Sequence, residues 1–378
     1  MSGMTIDFDQ ITQGFDPIAT RSWSLSGQAY TNPDVLAFER KAVFARSWQF
    51  VCHIEKLRNP GDYVVFEING QSLFAIRDEN GDLKAFYNVC LHRAHELLSG
   101  EGNTRSIVCP YHAWNYRLDG KLRSARRADL IENFDVDQFC LKGVAIEEFC
   151  TFVFVNLSAD AAPLADETGD LAKEIHDWAP DLDQLTHAYR LTYTIKSNWK
   201  TVIDNFLECY HCPISHRDFV SLVDIDNYKV KTHGIYSSHI APAGKTDNTA
   251  YAIDGADVTD HAVWWMWPNT CLLRYPGAPS FMILNVTPID HETTFETYDF
   301  YFTEPKPSDA QMEAITYIDE VLQVEDIGLC ESVQRGMSSP AFERGRFMVD
   351  PEGGGMSEHA VHHFHGLLID AYRANMSS

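Results

Sequence analysis

Residues 88–112 read NVCLHRAHELLSGEGNTRSIVCPYH. A Cys-x-His pair, Cys90 and His92, is followed after sixteen residues by a Cys-x-x-His pair, Cys109 and His112. Each half supplies one thiolate and one imidazole and sits just beyond a run that reads as a strand, where a loop can aim two side chains at one metal. Zinc is the plainer reading of such a set, but zinc fingers usually pair Cys with Cys and His with His. One Cys and one His from each end fit a [2Fe–2S] cluster in which one iron takes both cysteines and the other both histidines. His95, three residues past His92, has the wrong spacing for a ligand and reads as structural.

The sequence around this motif is β-rich. Tyr63–Phe66 and Leu73–Ile76 read as strands, Asn80-Gly81 and Asp119-Gly120 as tight turns, and Val153–Val155 as a closing strand. Residues 48–157 are therefore expected to form a small all-β domain. It is inserted in a larger α+β domain made of residues 1–47 and 158–378, an antiparallel sheet with helices. Asn32-Pro33-Asp34 reads as a helix start, Asn capping and Pro at the first helical position, with helix running to about Trp48 and Leu36, Val43 and Phe44 on one face. Ser158–Pro180 reads as an Ala/Asp-rich linker followed by a short helix. Met282–Thr287 and Thr294–Phe302 are expected to pair as antiparallel strands. A long helix is expected from Ser308, with Met312, Ile315, Ile318 and Leu322 on one face, and a final helix from Ser357.

A second constellation lies in residues 198–216, NWKTVIDNFLECYHCPISH. With Asn198 as N-cap, a helix is expected to about Cys212. On it Glu208 and His211 share a face, with Asp204 and Asn205 one turn earlier. His216, five residues past His211, would rotate away on a continuous helix, and Pro213 is expected to end the helix and let the next turn bring it back. Two histidines and a carboxylate form the facial triad of non-haem Fe(II), which leaves positions open for O2. A lone His pair is more often structural. The acidic residues on the preceding turns and the first motif in the same chain reverse that preference. Asp326, in EDIGLCE at residues 325–331, is the candidate third ligand, although a solvated acidic face is the plainer reading of that stretch alone.

Composition sets outer limits. The chain has 378 residues, room for about two domains, and 30 Lys+Arg against 54 Asp+Glu give a formal charge of −24. Nucleic acid and anionic membrane surfaces are poor partners for such a chain. The densest apolar run, Phe149–Leu157, is far short of the roughly 20 residues that span a bilayer. The acidic MSGMTIDFDQ start does not read as a signal peptide. Nine cysteines, an odd number, fit a reducing, cytoplasmic compartment and no disulfide framework.

Taken together these residues resemble the α (oxygenase) subunit of Rieske non-haem iron oxygenases, over essentially the whole length. The resemblance is strongest to the branch acting on carnitine, choline and glycine betaine. FYNVC, LLSGEG, CPYHAW, NWK…DNFLECYHC, EDIGLCESVQRG and SEHAVHHFHGLL carry it. The resemblance implies a Rieske [2Fe–2S] cluster on Cys90, His92, Cys109 and His112, and a mononuclear Fe(II) on His211, His216 and Asp326. It implies that Glu208 bridges a Rieske histidine of one subunit to an iron-ligand histidine of the next. A head-to-tail homotrimer, or a multiple of trimers, would bring His112 of one chain near Glu208 of its neighbour. The family's usual Cys-Pro-His-Arg-Gly is here Cys90-Leu91-His92-Arg93-Ala94, and Ala in place of Gly predicts a backbone that does not need positive φ there. No GxGxxG follows a strand, so electrons from NAD(P)H are expected through a separate flavin and iron–sulfur reductase, with O2 as co-substrate.

The branch implies hydroxylation of a small quaternary ammonium compound, with C–N cleavage or N-demethylation where the oxidised carbon bears nitrogen. Such a cation offers no N–H, so its recognition rests on aromatic faces. HAVWWMW at residues 261–267 is the densest aromatic cluster, with Trp265 and Trp267 on one face of a strand and Trp264 on the other. Trp264, Trp265, Trp267, Tyr210, Phe206 and Tyr275 are candidate pocket residues, and His261 or Arg274 could hold a substrate carboxylate. The plainer reading of the tryptophans is core. An aromatic-ring-hydroxylating oxygenase for a small aromatic acid is the alternative with the same metals. A pure electron carrier would lack the second site and hold about two irons per chain instead of about three.

Overall fold

The computed structural model describes residues 6–244, 248–253 and 255–376, so half of the N-terminal stretch read above lies outside it. The chain divides into Phe44–Glu167 and a discontinuous unit of Met1–Val43 with Thr168–Ser378.

The Phe44–Glu167 unit is built mainly of β-strands. Its seven-stranded sheet runs Gln49–His53, Phe152–Asn156, Gly143–Phe149, Leu83–Tyr87, Gln71–Arg77, Asp62–Ile68, Glu101–Asn103. A three-stranded sheet of Ile107–Val108, Asn115–Tyr116 and Leu122–Ser124 accompanies it. Asp62–Ile68 and Gln71–Arg77 are joined by Asn69-Gly70, both at positive φ (56° and 71°), the geometry that twists a two-residue hairpin correctly. The Asp119-Gly120 turn needs its glycine twice over. Its φ is +86°, and a Cβ would lie 2.5 Å from the Phe86 ring. Phe152–Asn156 is buried at every residue, as expected of a strand flanked on both edges. Cys90 and Cys109 belong to one buried cluster with Phe74, Phe86, Trp114 and Tyr116, so both thiols sit in the core of this unit.

The larger unit is α+β, with a second seven-stranded sheet in which every neighbour is antiparallel. Its order is Thr186–Ile195, Thr293–Phe302, Ser280–Asp290, Thr270–Arg274, His261–Met266, Tyr236–Ala241, Lys229–His233. Ser280–Asp290 and Thr293–Phe302 pair as the sequence suggests, with Leu284 opposite Tyr298. Asn32 caps Pro33–Ala42, accepting the Asp34 N–H at 2.9 Å, but that helix stops short of the expected Trp48 and gives way to a 3-10 turn at Phe44–Arg46. The linker segment folds as two short helices, Leu164–Thr168 and Leu171–Trp178, split at Gly169.

Ser308 caps the next helix through a reciprocal contact with Gln311. That helix is not continuous. Asp309–Tyr317 passes into a π-helical turn at Ile318–Leu322 before Gln323–Met337. Such turns often mark functional positions, because they reset the face on which later residues lie, here Asp326. The last helix is His359–Asn375.

Three helices of this unit meet at one buried ion pair. Lys200 Nζ lies 2.8 Å from Glu39 Oε1, both side chains fully buried. Glu39 also accepts Trp199 Nε1–H at 2.9 Å and the Tyr372 hydroxyl. The pair thus ties Trp199–Phe206 to Pro33–Ala42 and His359–Asn375. Lys200→Met leaves the Glu39 charge buried without its cation, and we expect a loss of about 3–5 kcal/mol in denaturant unfolding. A loss below about 1 kcal/mol would show that the pair does not hold the helices together.

Candidate metal centres

The two halves of the first motif form matching loops. Cys90 N–H bonds His95 O at 2.8 Å and Ala94 N–H bonds Cys90 O at 2.9 Å; Cys109 N–H bonds Trp114 O at 2.8 Å and Ala113 N–H bonds Cys109 O at 3.0 Å. Each loop closes through a left-handed alanine, with φ of +56° at Ala94 and +57° at Ala113. The alanine at 94 was expected to signal an ordinary backbone. Loop closure fixes the sign of φ instead, at a cost to a Cβ-bearing residue of about 1 kcal/mol. The loops bring the His92 and His112 rings to 4.7 Å, nearly perpendicular, and His92 stacks on Trp114 at 5.0 Å. Tyr116 Oη accepts the Leu91 N–H at 3.0 Å and lies 3.4 Å from Cys90 Sγ, which it can reach with its own proton. Burial pushes the Tyr116 hydroxyl well above its ordinary range, so it remains a donor to sulfur.

These donors fit a [2Fe–2S] group bound by two Cys and two His. The sulfurs are buried, and His112 Nδ1 is buried with no hydrogen-bond partner among the described residues. His95 stands outside the set, its Nδ1 beside Glu96 O at 2.5 Å.

At the second motif Asn198 caps the helix, accepting Lys200 N–H at 3.0 Å, but the helix ends at Phe206 rather than near Cys212. Glu208 and His211 therefore do not share a helix face. The Glu208 carboxylate takes the backbone N–H groups of Tyr210 and His211, the latter at 3.2 Å, and so competes with helical hydrogen bonding. A Cys209–Cys212 disulfide closes the same turn, where no disulfide was expected. Pro213 ends nothing. It sits in the first turn of a new short helix, Cys212–Ser215, where a missing N–H costs least, and His216 caps that helix.

Three ligand atoms converge from these segments. His211 Nε2 and His216 Nε2 are 3.0 Å apart, and Asp326 Oδ1 is 3.0 Å from His216 Nε2 and 3.6 Å from His211 Nε2. They are the group of three His/Cys/Asp/Glu residues able to hold a metal among the described residues. Each imidazole is oriented by a carboxylate at its other nitrogen. His211 Nδ1–H donates to Glu208 at 2.5 Å and His216 Nδ1–H to Glu325 at 2.8 Å, which leaves both Nε2 lone pairs for the metal. Burial opposes charge on His211, yet Asp326 and Glu208 lift it to about 10. Burial likewise opposes charge on Asp326, but its hydrogen bonds with His211 and His216 hold it near 2. Two histidines and one carboxylate converging in this way suit Fe(II).

A cavity of about 90 Å³ opens onto these ligands. Phe206, Phe219, Tyr228, Tyr275, Tyr298 and His261 face it, together with Asn205, Glu208 and Glu296. Of the expected pocket residues, Phe206, Tyr275 and His261 line it; the tryptophans and Tyr210 do not. Strand His261–Met266 is buried on both faces, so Trp264 and Trp265 are core. Trp264 Nε1–H donates to Glu174 and Trp265 Nε1–H to Pro268 O. Trp267 packs at 6.3 Å from Trp265, and Tyr210 is 52% exposed. Arg274 is paired with Asp181 at 2.8 Å and does not line this cavity, while burial pulls His261, which does, down to about 3.

A second cavity, about 310 Å³, also borders Glu208 and His211, with Asp204 and Asn205 in its wall. Asp204 accepts the Tyr30 hydroxyl at 2.6 Å and His365 Nε2–H at 3.0 Å, while His365 Nδ1 takes the Leu25 N–H. Sequence reading did not single out Glu325, Glu296, Tyr228, Phe219 or Tyr298. Only Glu325, adjacent to Asp326, carried a local signal.

Residues 47–135 match the Rieske [2Fe-2S] domain family, and residues 182–374 match the ring hydroxylating alpha subunit (catalytic domain) family. The carnitine monooxygenase oxygenase subunit of Escherichia coli (strain K12) is 37% identical over 99% of this chain and 100% of its own length. The chloroplastic choline monooxygenase of Arabidopsis thaliana is 30% identical over 96% of this chain and 86% of its own. The solved structure of a quaternary ammonium Rieske monooxygenase superposes with a TM-score of 0.88 at 34% identity, covering 94% of this chain and 97% of that one.

Purified protein should hold about three irons per chain, and His211→Ala about two with the Rieske EPR signal unchanged. A wild-type count near two would mark an electron carrier, and an unchanged count in the variant would remove His211 from the ligand set.

Proposed function

The chain belongs to the family of Rieske ring-hydroxylating oxygenase α subunits, and from that membership we propose that it hydroxylates a small quaternary ammonium compound of the carnitine, betaine or choline type. The observation that carries this reading is the wall of the iron-side cavity. It combines five aromatic rings with the carboxylates of Glu208, Glu296 and Asp326, and no lysine or arginine lines it among the described residues. Aromatic faces attract an alkylammonium by about 0.5–2 kcal/mol per ring. The same wall offers nothing to a benzoate-type acid, whose one charge is negative, whereas a betaine or choline brings an ammonium that the rings and carboxylates can hold. Similarity to carnitine and choline monooxygenases supports the same reading.

In this reading His211, His216 and Asp326 hold an Fe(II), which when bound supplies the oxidising chemistry with O2 and reductase electrons. The residues around it orient and exclude. Glu208 and Glu325 lock the two imidazoles, and the aromatic wall keeps water from the substrate and presents a C–H beside the cation's nitrogen. Oxidation of a carbon on nitrogen yields a product that collapses by C–N cleavage, or by loss of an N-methyl group.

Glu208 is proposed as the link between subunits. It lines both cavities and hydrogen-bonds His211, so a donor docked in the larger cavity would reach the iron ligand through one carboxylate. A head-to-tail trimer, in which a neighbour's His112 occupies that position, is the assembly that satisfies this. Asp204, fixed by Tyr30 and His365, and Asn205 support the same wall. A separate reductase oxidising NAD(P)H is the proposed electron source.

With a matched reductase, NADH oxidation should be coupled to product for carnitine, betaines or choline and not for benzoate-type acids. Glu208→Ala should keep the Rieske visible and EPR spectra yet give no product. Coupled turnover of aromatic acids alone would overturn the substrate class, and full activity of the variant would overturn the bridge.

A further inference from the structure

Among the carboxylates of the iron-side cavity, two are already engaged. Asp326 is bonded to His211 and His216, and Glu208 to His211. Glu296 is different. It comes from the sheet, on strand Thr293–Phe302, and is 2% exposed. Its hydrogen-bond partner is the side-chain amide of Gln323, at the end of the π-helical turn, and no lysine or arginine lines the cavity it faces among the described residues. Burial pushes its carboxyl up to about 8, against the Gln323 contact, and the Asp326 charge adds to the rise. A buried acid with one amide for company is a costly group to keep. A glutamine there would serve Gln323 equally well and remove the cost. Tyr298, two residues along the same strand and so on the same face, lines the cavity beside it, with Tyr275 hydrogen-bonded to Tyr298.

We propose that Glu296 is a specificity-determining residue, the counter-charge that makes this pocket select a quaternary ammonium over a neutral group of the same shape. The inference rests on the quaternary ammonium reading of the site and deepens it. Aromatic rings alone discriminate weakly, since a tert-butyl group fills the same volume and makes the same dispersion contacts as a trimethylammonium. A carboxylate in a cavity shielded from water does not: a cation beside Glu296 favours loss of its proton, and the Coulomb attraction then offered is several times larger there than in solvent. Glu296 meets the substrate from the sheet side, while the metal ligands come from the helices, so the cationic head and the reacting carbon are held by separate elements.

The test compares choline with its neutral carbon isostere, 3,3-dimethylbutan-1-ol, by calorimetric binding to the iron-loaded holoenzyme. Wild type is expected to prefer choline by more than about tenfold, and Glu296→Gln to lower that ratio by at least about tenfold through weaker choline binding, with iron content and the Rieske spectrum unchanged. Glu296→Asp, which keeps the charge, is expected to keep the preference, and Glu296→Met, a second neutral variant, to lose it. A ratio unchanged in the neutral variants overturns the role of Glu296 while leaving the substrate class standing. A ratio lost equally in the Asp variant overturns it as well, since packing and not charge would then be at work. Wild type with no preference for the cation overturns the substrate class, and this inference with it.

Discussion

Glu39 is a carboxylate taken wholly out of water, and the catalytic unit is arranged around satisfying it. Lys200, Trp199 and Tyr372 all donate to it, from two helices that are far apart in sequence. An uncompensated charge at such a depth would cost several kcal/mol, so the three helices cannot separate without exposing the pair or stranding it. Trp199 and Lys200 open the helix that carries Asp204 and Asn205 and runs into the Glu208–His211 turn. The position of the iron ligands is thus inherited from a contact that touches no ligand.

Beyond that anchor, the metal centre is an exercise in pairing. Each imidazole has a carboxylate on its outer nitrogen and shares Asp326 on its inner one. Orienting carboxylates fix the tautomer and the ring plane, so that both Nε2 atoms face Asp326, where the three residues would hold a metal. Glu208 has a double position, since one side chain orients His211 and also lines the larger cavity. Any electron route through it therefore shares its geometry with the ligand sphere, and the two functions cannot be tuned apart.

What could be read from the sequence was whatever depended on short spacing. Cys90, His92, Cys109 and His112 declare themselves because loop ligands are close in sequence, and the hairpin turns because Asn-Gly and Asp-Gly have one favoured geometry. His211 and His216 were legible from their spacing and their acidic neighbours, whereas Asp326 was a candidate that family resemblance had to strengthen, because it arrives from a helix more than a hundred residues away. Periodicity misled in one place. A helical face was assigned to Glu208 and His211, where the Glu208 carboxylate takes over backbone N–H groups and a disulfide closes the turn. The tryptophans of His261–Met266 were candidate pocket residues with core as the plainer reading, and a strand covered on both faces buries them as core. The real wall draws single aromatics from five separate segments, a pattern with no local signature: Phe206, Phe219, Tyr228, Tyr275 and Tyr298.

The central claim is that this chain puts oxygen from O2 onto a small quaternary ammonium compound. Turnover under ¹⁸O2 with reductase and NADH, followed by mass spectrometry of the product, tests it most directly. The account predicts one labelled oxygen in the hydroxylated product, or in the carbonyl fragment caught before exchange when the C–N bond breaks. NADH oxidation that yields only peroxide, or product carrying oxygen from water under conditions where exchange is excluded, would contradict it.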